Sequence, residues 1–252
     1  MNNWKYEIVK MLENKDYELS DIMNYIQANL PSKLYRYRCF NDYTYDEIVN
    51  GTVFLSSPRD FNDPLDSLPQ IYQNSDPDVY SWGGFGVFAL INDWVYNRSE
   101  ILEKERENLG IACFCECCDN FLMWSHYANN HSGYCIEYDA HKIYNLIIGK
   151  LFPVIYLKKH PYYTSGKKSL LESIIVKDDV WNYEKEWRII YSNNDIKNNS
   201  RIIHIPNCIT TLYTGINCKD ENLDLLYYIS DKCNISLKFI ELNRNYRLEP
   251  ED

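Results

Sequence analysis

Apolar residues near the start of the chain recur at three- and four-residue steps. Ile8, Met11 and Leu12 share one helical face, and Ile22, Met23 and Ile26 share another. The spacing predicts two short helices within residues 3–29, the second capped by Ser20 and ended by Pro31. The pattern then alternates. In LYRYRCF, residues 34–40, Tyr35, Tyr37 and Cys39 fall on one strand face, and Leu34, Arg36 and Arg38 on the other. Thr44-x-x-Glu47 reads as a capping box opening a short helix that Gly51 ends, and residues 52–56 read as the next strand. Two prolines and an Asn-Asp pair then argue against regular structure in SSPRDFNDPLDS, residues 56–67, leaving Asn62, Asp63 and Asp66 on a polar loop. Residues 70–86 stay loop-like, and residues 87–108 suit a long helix ended at Gly110.

The next stretch, IACFCECCDNFLMWSHYANNHSGYCIEYD at 111–139, changes pattern twice. A short apolar run, 111–115, suits a buried strand. Phe121, Trp124, Tyr127 and Ala128 then share a helical face, with Asp119 placed to cap it and Gly133 to stop it. Extended chain resumes at 134–138. Further on, helices are expected at 140–148 and 169–177 and a strand at 151–157. A basic aromatic loop falls at 160–168, and VWNYEKEWRII, 180–190, leads into another strand. Strands at 201–206, 209–215 and 235–242, with a helix at 220–231, complete the pattern. The sum is one α+β domain over 32–248 around a central mixed or split antiparallel sheet, with residues 1–31 as an N-terminal helical extension.

Composition narrows the classes. A net charge of -10 argues against a protein that coats nucleic acid through bulk charge. No apolar run approaches the roughly 20 residues of a membrane span, and the N-terminus lacks a secretory apolar core, so a cytoplasmic protein without membrane partners is expected. Nine cysteines in no regular framework suit a reducing compartment.

Two constellations carry candidate chemistry. On a strand, Glu184, Glu186 and Arg188 would share a face, walled by Trp181, Tyr183 and Trp187. Like charges so close would raise one carboxyl's pKa and suit it to stabilise an oxocarbenium-like cation; an exposed ion-pair ladder with Arg188 is the alternative. Arg36 and Arg38 could hold a phosphate bidentately, or pair with Asp63 or Asp66. Cys113, Cys115, Cys117, Cys118, His126 and His131 lack zinc-site spacing, so no metal is expected and buried thiols are the better reading. Cys115 or Cys117 acting as a nucleophile with one of those histidines is a lesser possibility.

LYRYRCF, SSPRDFNDPLD, ACFCE, MWSHYANNHSGYCIEYD and NYEKEWRII, in this order, resemble a bacterial domain family of unknown function. Its members carry a YKYR-type strand, an FNDP-x-D loop, a CFSE strand, an MWSHYA helix and a YEKEWR strand. The family's CFSE serine is Cys115 here. The family is similar at long range to ADP-ribosyltransferase-like domains of toxin-antitoxin and phage-defence systems. That resemblance implies NAD as substrate and a macromolecular acceptor, whether RNA, DNA or protein, with an antitoxin or regulatory protein as a further partner. It implies Glu186, Glu184, Tyr127 and Arg38 as catalytic residues, with Glu186 stabilising the positive charge on the ribose. Arg36, Tyr37, Ser57, Asn62, Asp63, Trp124, Ser125, His126 and His131 become the nucleotide contacts, with Trp124 or Tyr127 stacking on nicotinamide. A nuclease using His126, His131 and the carboxylates as acid-base groups, and a non-catalytic sensor, are the competing expectations.

Overall fold

The computed structural model describes residues 4–67, 70–71, 108–159, 162–163, 166–192, 200–245 and 247–251. The helix expected at 87–108, all but its last residue, lies outside them. So does most of the loop expected at 70–86.

The two N-terminal helices form as α1 (Trp4–Glu13) and α2 (Leu19–Ala28). Ser20 does not cap α2. The turn begins one residue before the helix, where the Asp21 carboxylate accepts the Glu18 backbone N–H at 2.8 Å. Strand β1 (Lys33–Arg38) leads to α3 (Thr44–Val49), β2 (Thr52–Phe54) and a single 3-10 turn at Pro58–Asp60. The Thr44–Glu47 capping box does not form. Thr44 accepts the Asn41 N–H at 3.0 Å, and Glu47 turns inward to Arg36 and Arg38. Two bonds from cationic arginines outweigh the one backbone N–H bond a capping box would give Glu47.

After β3 (Gln70–Ile71) come β4 (Leu109–Cys115), α4 (Phe121–Tyr127), β5 (Tyr134–Asp139) and α5 (Ala140–Leu146). Asn120, not Asp119, caps α4, accepting the Leu122 and Met123 N–H groups at 2.9 and 3.2 Å. Its amide nitrogen also reaches the Tyr183 carbonyl at 2.8 Å, a bond a carboxylate cannot donate. Helix α4 ends before Gly133, in left-handed residues Asn129, Asn130 and His131. Gly133 is needed for a different reason: a Cβ there would lie 2.2 Å from the Arg38 carbonyl oxygen.

The strand expected at 151–157 divides into β6 (Leu151–Pro153) and β7 (Ile155–Leu157). Then follow β8 (Tyr162–Tyr163), α6 (Gly166–Ile175), β9 (Val176–Asp178), a 3-10 turn at Asp179–Glu184 and β10 (Glu186–Ser192). The helix expected at 169–177 therefore stops early, and Lys177 sits on a strand. The C-terminal part is β11 (Ile202–His204), β12 (Ile209–Thr214), α7 (Asp220–Cys233), β13 (Ser236–Leu242) and β14 (Leu248–Pro250).

The fold is α+β around one mixed eight-stranded sheet, ordered β14-β13-β12-β5-β1-β4-β10-β6. Its β12–β13 pair is parallel and its other registered pairs are antiparallel. Residues Ile8, Ile22 and Ile26 of the N-terminal helices join Leu34, Ile136 and Ile189 of the sheet in one core cluster, so the first two helices are part of the core. On the other face, α4 buries Trp124 against Tyr37, Cys135 and Tyr213.

The sheet is nearly divided at its middle. Strand β1 pairs with β5 along its whole length, from Lys33 with Asp139 to Arg38 with Tyr134. With β4 it registers only at Tyr35 and Cys115. Beyond that point the strands part, and the Ser56 backbone bonds to Ile111 farther along β4.

Candidate active site

Where β1 and β4 separate, a cavity of about 300 Å³ opens, lined by Arg38, Asn62, Tyr127, Lys177, Glu184 and Glu186 among others. That lies at the small end of ligand clefts, roughly 300–1,000 Å³. Six separate segments supply these side chains: β1, the loop after β2, α4, β9, the 3-10 turn before β10, and β10 itself.

The cleft floor is a buried charge network. Arg188 is fully buried on β10. Its Nε and Nη2 hold the two Glu186 oxygens at 2.8 and 2.9 Å, and Nη1 and Nη2 hold the two Asp66 oxygens at 2.7 Å each. The Arg188 guanidinium also lies 5.6 Å from the centre of the Phe61 ring. Lys177 on β9 completes the network, its Nζ 2.6 Å from Glu184, 3.2 Å from Asp66 and 3.4 Å from Glu186.

Glu184 was expected on the strand beside Glu186. It sits instead at the end of the 3-10 turn, and Lys185, left-handed at φ 45°, reverses the chain between them. Its carboxylate still enters the cleft, accepting Lys177 on one oxygen and the Tyr127 hydroxyl at 2.6 Å on the other. The Tyr127 oxygen in turn accepts the Asn62 amide at 3.1 Å. The two glutamates differ electrically. Burial, then the Glu186 charge, raise Glu184 above the ordinary glutamate value despite Lys177 and Tyr127. Burial opposes the Glu186 charge too, but Arg188 and then Lys177 outweigh it and hold that group low. Neither forms an exposed ion-pair ladder, since both are buried.

The two arginines of β1 line the same cleft. Their partner is Glu47, not Asp63 or Asp66: Arg36 Nη1 and Arg38 Nε lie 2.9 and 2.8 Å from its two oxygens. Arg36 also donates to the Phe54 carbonyl at 3.4 Å, whereas the Arg38 Nη atoms have no hydrogen-bond partner among the described residues.

Of the residues expected to form the site, Glu184, Glu186, Tyr127, Arg36, Arg38, Tyr37 and Asn62 do line one cleft. Tyr37 is committed structurally: its hydroxyl donates to the Cys117 carbonyl at 3.0 Å and its ring packs edge-on against Trp124. The other expected contacts lie outside the cleft lining. Trp124 is fully buried, its indole donating to the Cys118 carbonyl at 2.7 Å, and cannot stack on a ligand. Ser125 bonds His131 at 2.9 Å, and His126 is exposed. Ser57 and Asp63 accept backbone N–H groups of their own loop. The histidines thus give a nuclease no acid-base pair in this cleft. Cys115 and Cys117 are no better as nucleophiles, because burial above all raises both thiols, Cys117 to about 11. All nine cysteines are free, and no group of three His, Cys, Asp or Glu side chains able to hold a metal occurs among the described residues.

A family model described as "Protein of unknown function (DUF2971)" matches residues 123–189. That span begins within α4 and ends within β10, so it carries Tyr127, Lys177, Glu184, Glu186 and Arg188. No curated protein and no solved structure matches the chain. Among the described residues no helix is long and apolar enough to cross a membrane.

Proposed function

We propose that the cleft binds the nicotinamide–ribose half of NAD and transfers ADP-ribose to a macromolecular acceptor, in the manner of the ADP-ribosyltransferase-like domains that the sequence motifs resemble. The observation that carries this reading is the Glu184–Tyr127 pair. A buried carboxyl, oriented on one oxygen by a lysine and on the other by a phenol, faces a cleft between parted strands. Such a group stabilises positive charge on a ribose without reorganising at the moment of reaction.

In the proposed step the bond between the ribose anomeric carbon and the nicotinamide nitrogen breaks. Its electron pair leaves with nicotinamide, which becomes neutral. The ionised Glu184 carboxylate faces the resulting ribosyl cation. A lone pair on an acceptor oxygen or nitrogen forms the new bond at that carbon, and the acceptor's proton passes to Glu184. Relative to the sequence expectation the roles shift. Glu184 takes the charge-stabilising part, and Glu186, held on both oxygens by Arg188, supports the network beneath it. Arg38, which lines the cleft and whose Nη atoms have no hydrogen-bond partner among the described residues, suits a donor phosphate better than Arg36. The adenosine half of the dinucleotide would extend past the cleft mouth.

Incubation of the protein with NAD labelled in the adenylate part, in an extract of a host cell with and without phage infection, tests the reading. Labelled macromolecule or free ADP-ribose is the expected product. NAD left intact under both conditions overturns it.

A further inference from the structure

Three carboxylates converge on one buried ammonium. Lys177 Nζ lies within 3.4 Å of Glu184, Glu186 and Asp66, which come from the 3-10 turn, β10 and the polar loop. The Trp181 ring closes the approach, 4.8 Å from Nζ to its centre. Arg188 is the second cation of the cluster. It holds Glu186 and Asp66 but does not reach Glu184. Lys177 is thus the cation that ties Glu184 to the rest of the network. Each of those carboxylates carries one negative charge when ionised, so three stand against two cations, and the cluster is one positive charge short.

We infer that Lys177 is a positioning residue, a built-in counterion that orients Glu184 and keeps it ionised toward the cleft. The inference rests on the reading of Glu184 given above for its functional meaning, but not for its electrostatics. A buried carboxyl beside Glu186 with no cation between them takes up a proton more readily, because the neighbouring like charge and burial both disfavour its ionised form. A neutral Glu184 cannot stabilise a ribosyl cation. The titratable groups facing Glu184 are Tyr127 on α4, Glu186 on β10, Lys177 on β9, Cys115 on β4, Tyr156 on β7 and Tyr183 in its own turn, and among these Lys177 alone is cationic. Lys177 itself stays protonated. Burial works against its charge, but Glu186, Asp66 and Glu184 together raise it above the ordinary lysine value.

The test follows the Glu184 carboxyl directly. Carboxyl-13C-labelled glutamate is titrated by NMR in the wild-type chain and in Lys177→Met, with Glu184→Gln supplying the assignment. The expected result is an upward move of the Glu184 midpoint by about one pH unit or more in Lys177→Met. An unmoved midpoint overturns the inference, whether or not the wild-type chain consumes NAD. A smaller cavity-forming variant, Lys177→Ala, covers the case in which Lys177→Met does not fold. Ethylammonium is expected to raise its thermal midpoint in a saturable way, while tetramethylammonium, too bulky for the vacancy, has no such effect. Equal effects of the two cations, or none from either, overturn it. If the wild-type chain cleaves NAD, Lys177→Ala is expected to lower kcat at least about tenfold, to move the acid limb of its pH profile upward, and to regain rate with ethylammonium.

Discussion

Arg188 grips Glu186 in a fork, with Nε 2.8 Å from one carboxylate oxygen and Nη2 2.9 Å from the other. The same guanidinium holds both oxygens of Asp66. One residue thus joins β10 to the polar loop, and both its partners are buried. Removing it leaves two carboxylates without their main cation. Arg188→Met is expected to destabilise the fold by about 3–5 kcal/mol, the usual cost of breaking a buried ion pair from one side. The change in urea midpoint measures this. Arg188→Lys keeps the charge but loses the fork, and should fall between the two.

The cleft exists because β1 and β4 part while β1 stays locked to β5, and Gly133 belongs to that lock. A Cβ at 133 would meet the Arg38 carbonyl oxygen at 2.2 Å and Ala128 atoms at 3.0 Å, all of them backbone. Gly133→Ala should therefore cost about 1–3 kcal/mol or more through overpacking. It should also lower affinity for any ligand that touches Arg38. Equilibrium denaturation and ligand titration check the two parts.

Two carboxyl groups give stability opposite dependences on pH. Asp66 is held at about 2, below its ordinary 3.8; burial opposes its charge, but Arg188 outweighs burial. Its contribution is complete above the unfolded value and is lost as pH falls through that interval. Glu172 on α6 behaves inversely. Burial, then Glu13, raise it from 4.5 to about 7, and its Oε1 is buried with no hydrogen-bond partner. The folded chain then keeps a proton that the unfolded chain has released, so stability declines as pH rises from 4.5 to 7. Glu172→Gln should raise Tm above neutral pH and leave it nearly unchanged in mild acid. Thermal melts at two pH values on either side of that window decide the matter.

The sequence made the frame legible where periodicity was strong. The helices carrying Ile8 and Ile22, the β1 alternation and the strands either side of α4 fall where apolar spacing puts them. Glu184, Glu186, Tyr127 and Arg38, far apart in the chain and expected together, do line one cleft. Three things were hidden. Lys177 follows the apolar run Ile174–Val176, so it read as the last residue of a helix, and nothing local marks a lysine that will be buried by carboxylates distant in the chain. Trp124 looked like a stacking platform because aromatic residues line many pockets, yet the same apolar helical face that predicted α4 had to bury it. Glu47 looked like a capping residue, and only the return of α3 beside β1 reveals it as the shared partner of Arg36 and Arg38.

If the cleft cleaves NAD as proposed, the raised pKa of Glu184 carries into the rate. Its carboxylate must be ionised to face a cation, so NAD cleavage should rise with pH along an acid limb lying above the ordinary glutamate value of 4.5. Tyr127→Phe removes a hydroxyl that donates to the same carboxylate, which raises the limb further and slows the reaction. A pH–rate series on the two proteins measures both shifts.

The most direct test compares Glu184→Gln with Glu186→Gln in one experiment, reading nicotinamide release from NAD beside the thermal midpoint. If Glu184 stabilises the ribosyl cation, Glu184→Gln loses at least about a hundredfold in rate and keeps the wild-type midpoint within a few degrees. Glu186→Gln, which deprives Arg188 of a buried partner, then loses mainly stability. A Glu184→Gln protein that releases nicotinamide at the wild-type rate, or a wild-type protein that releases none, contradicts the account.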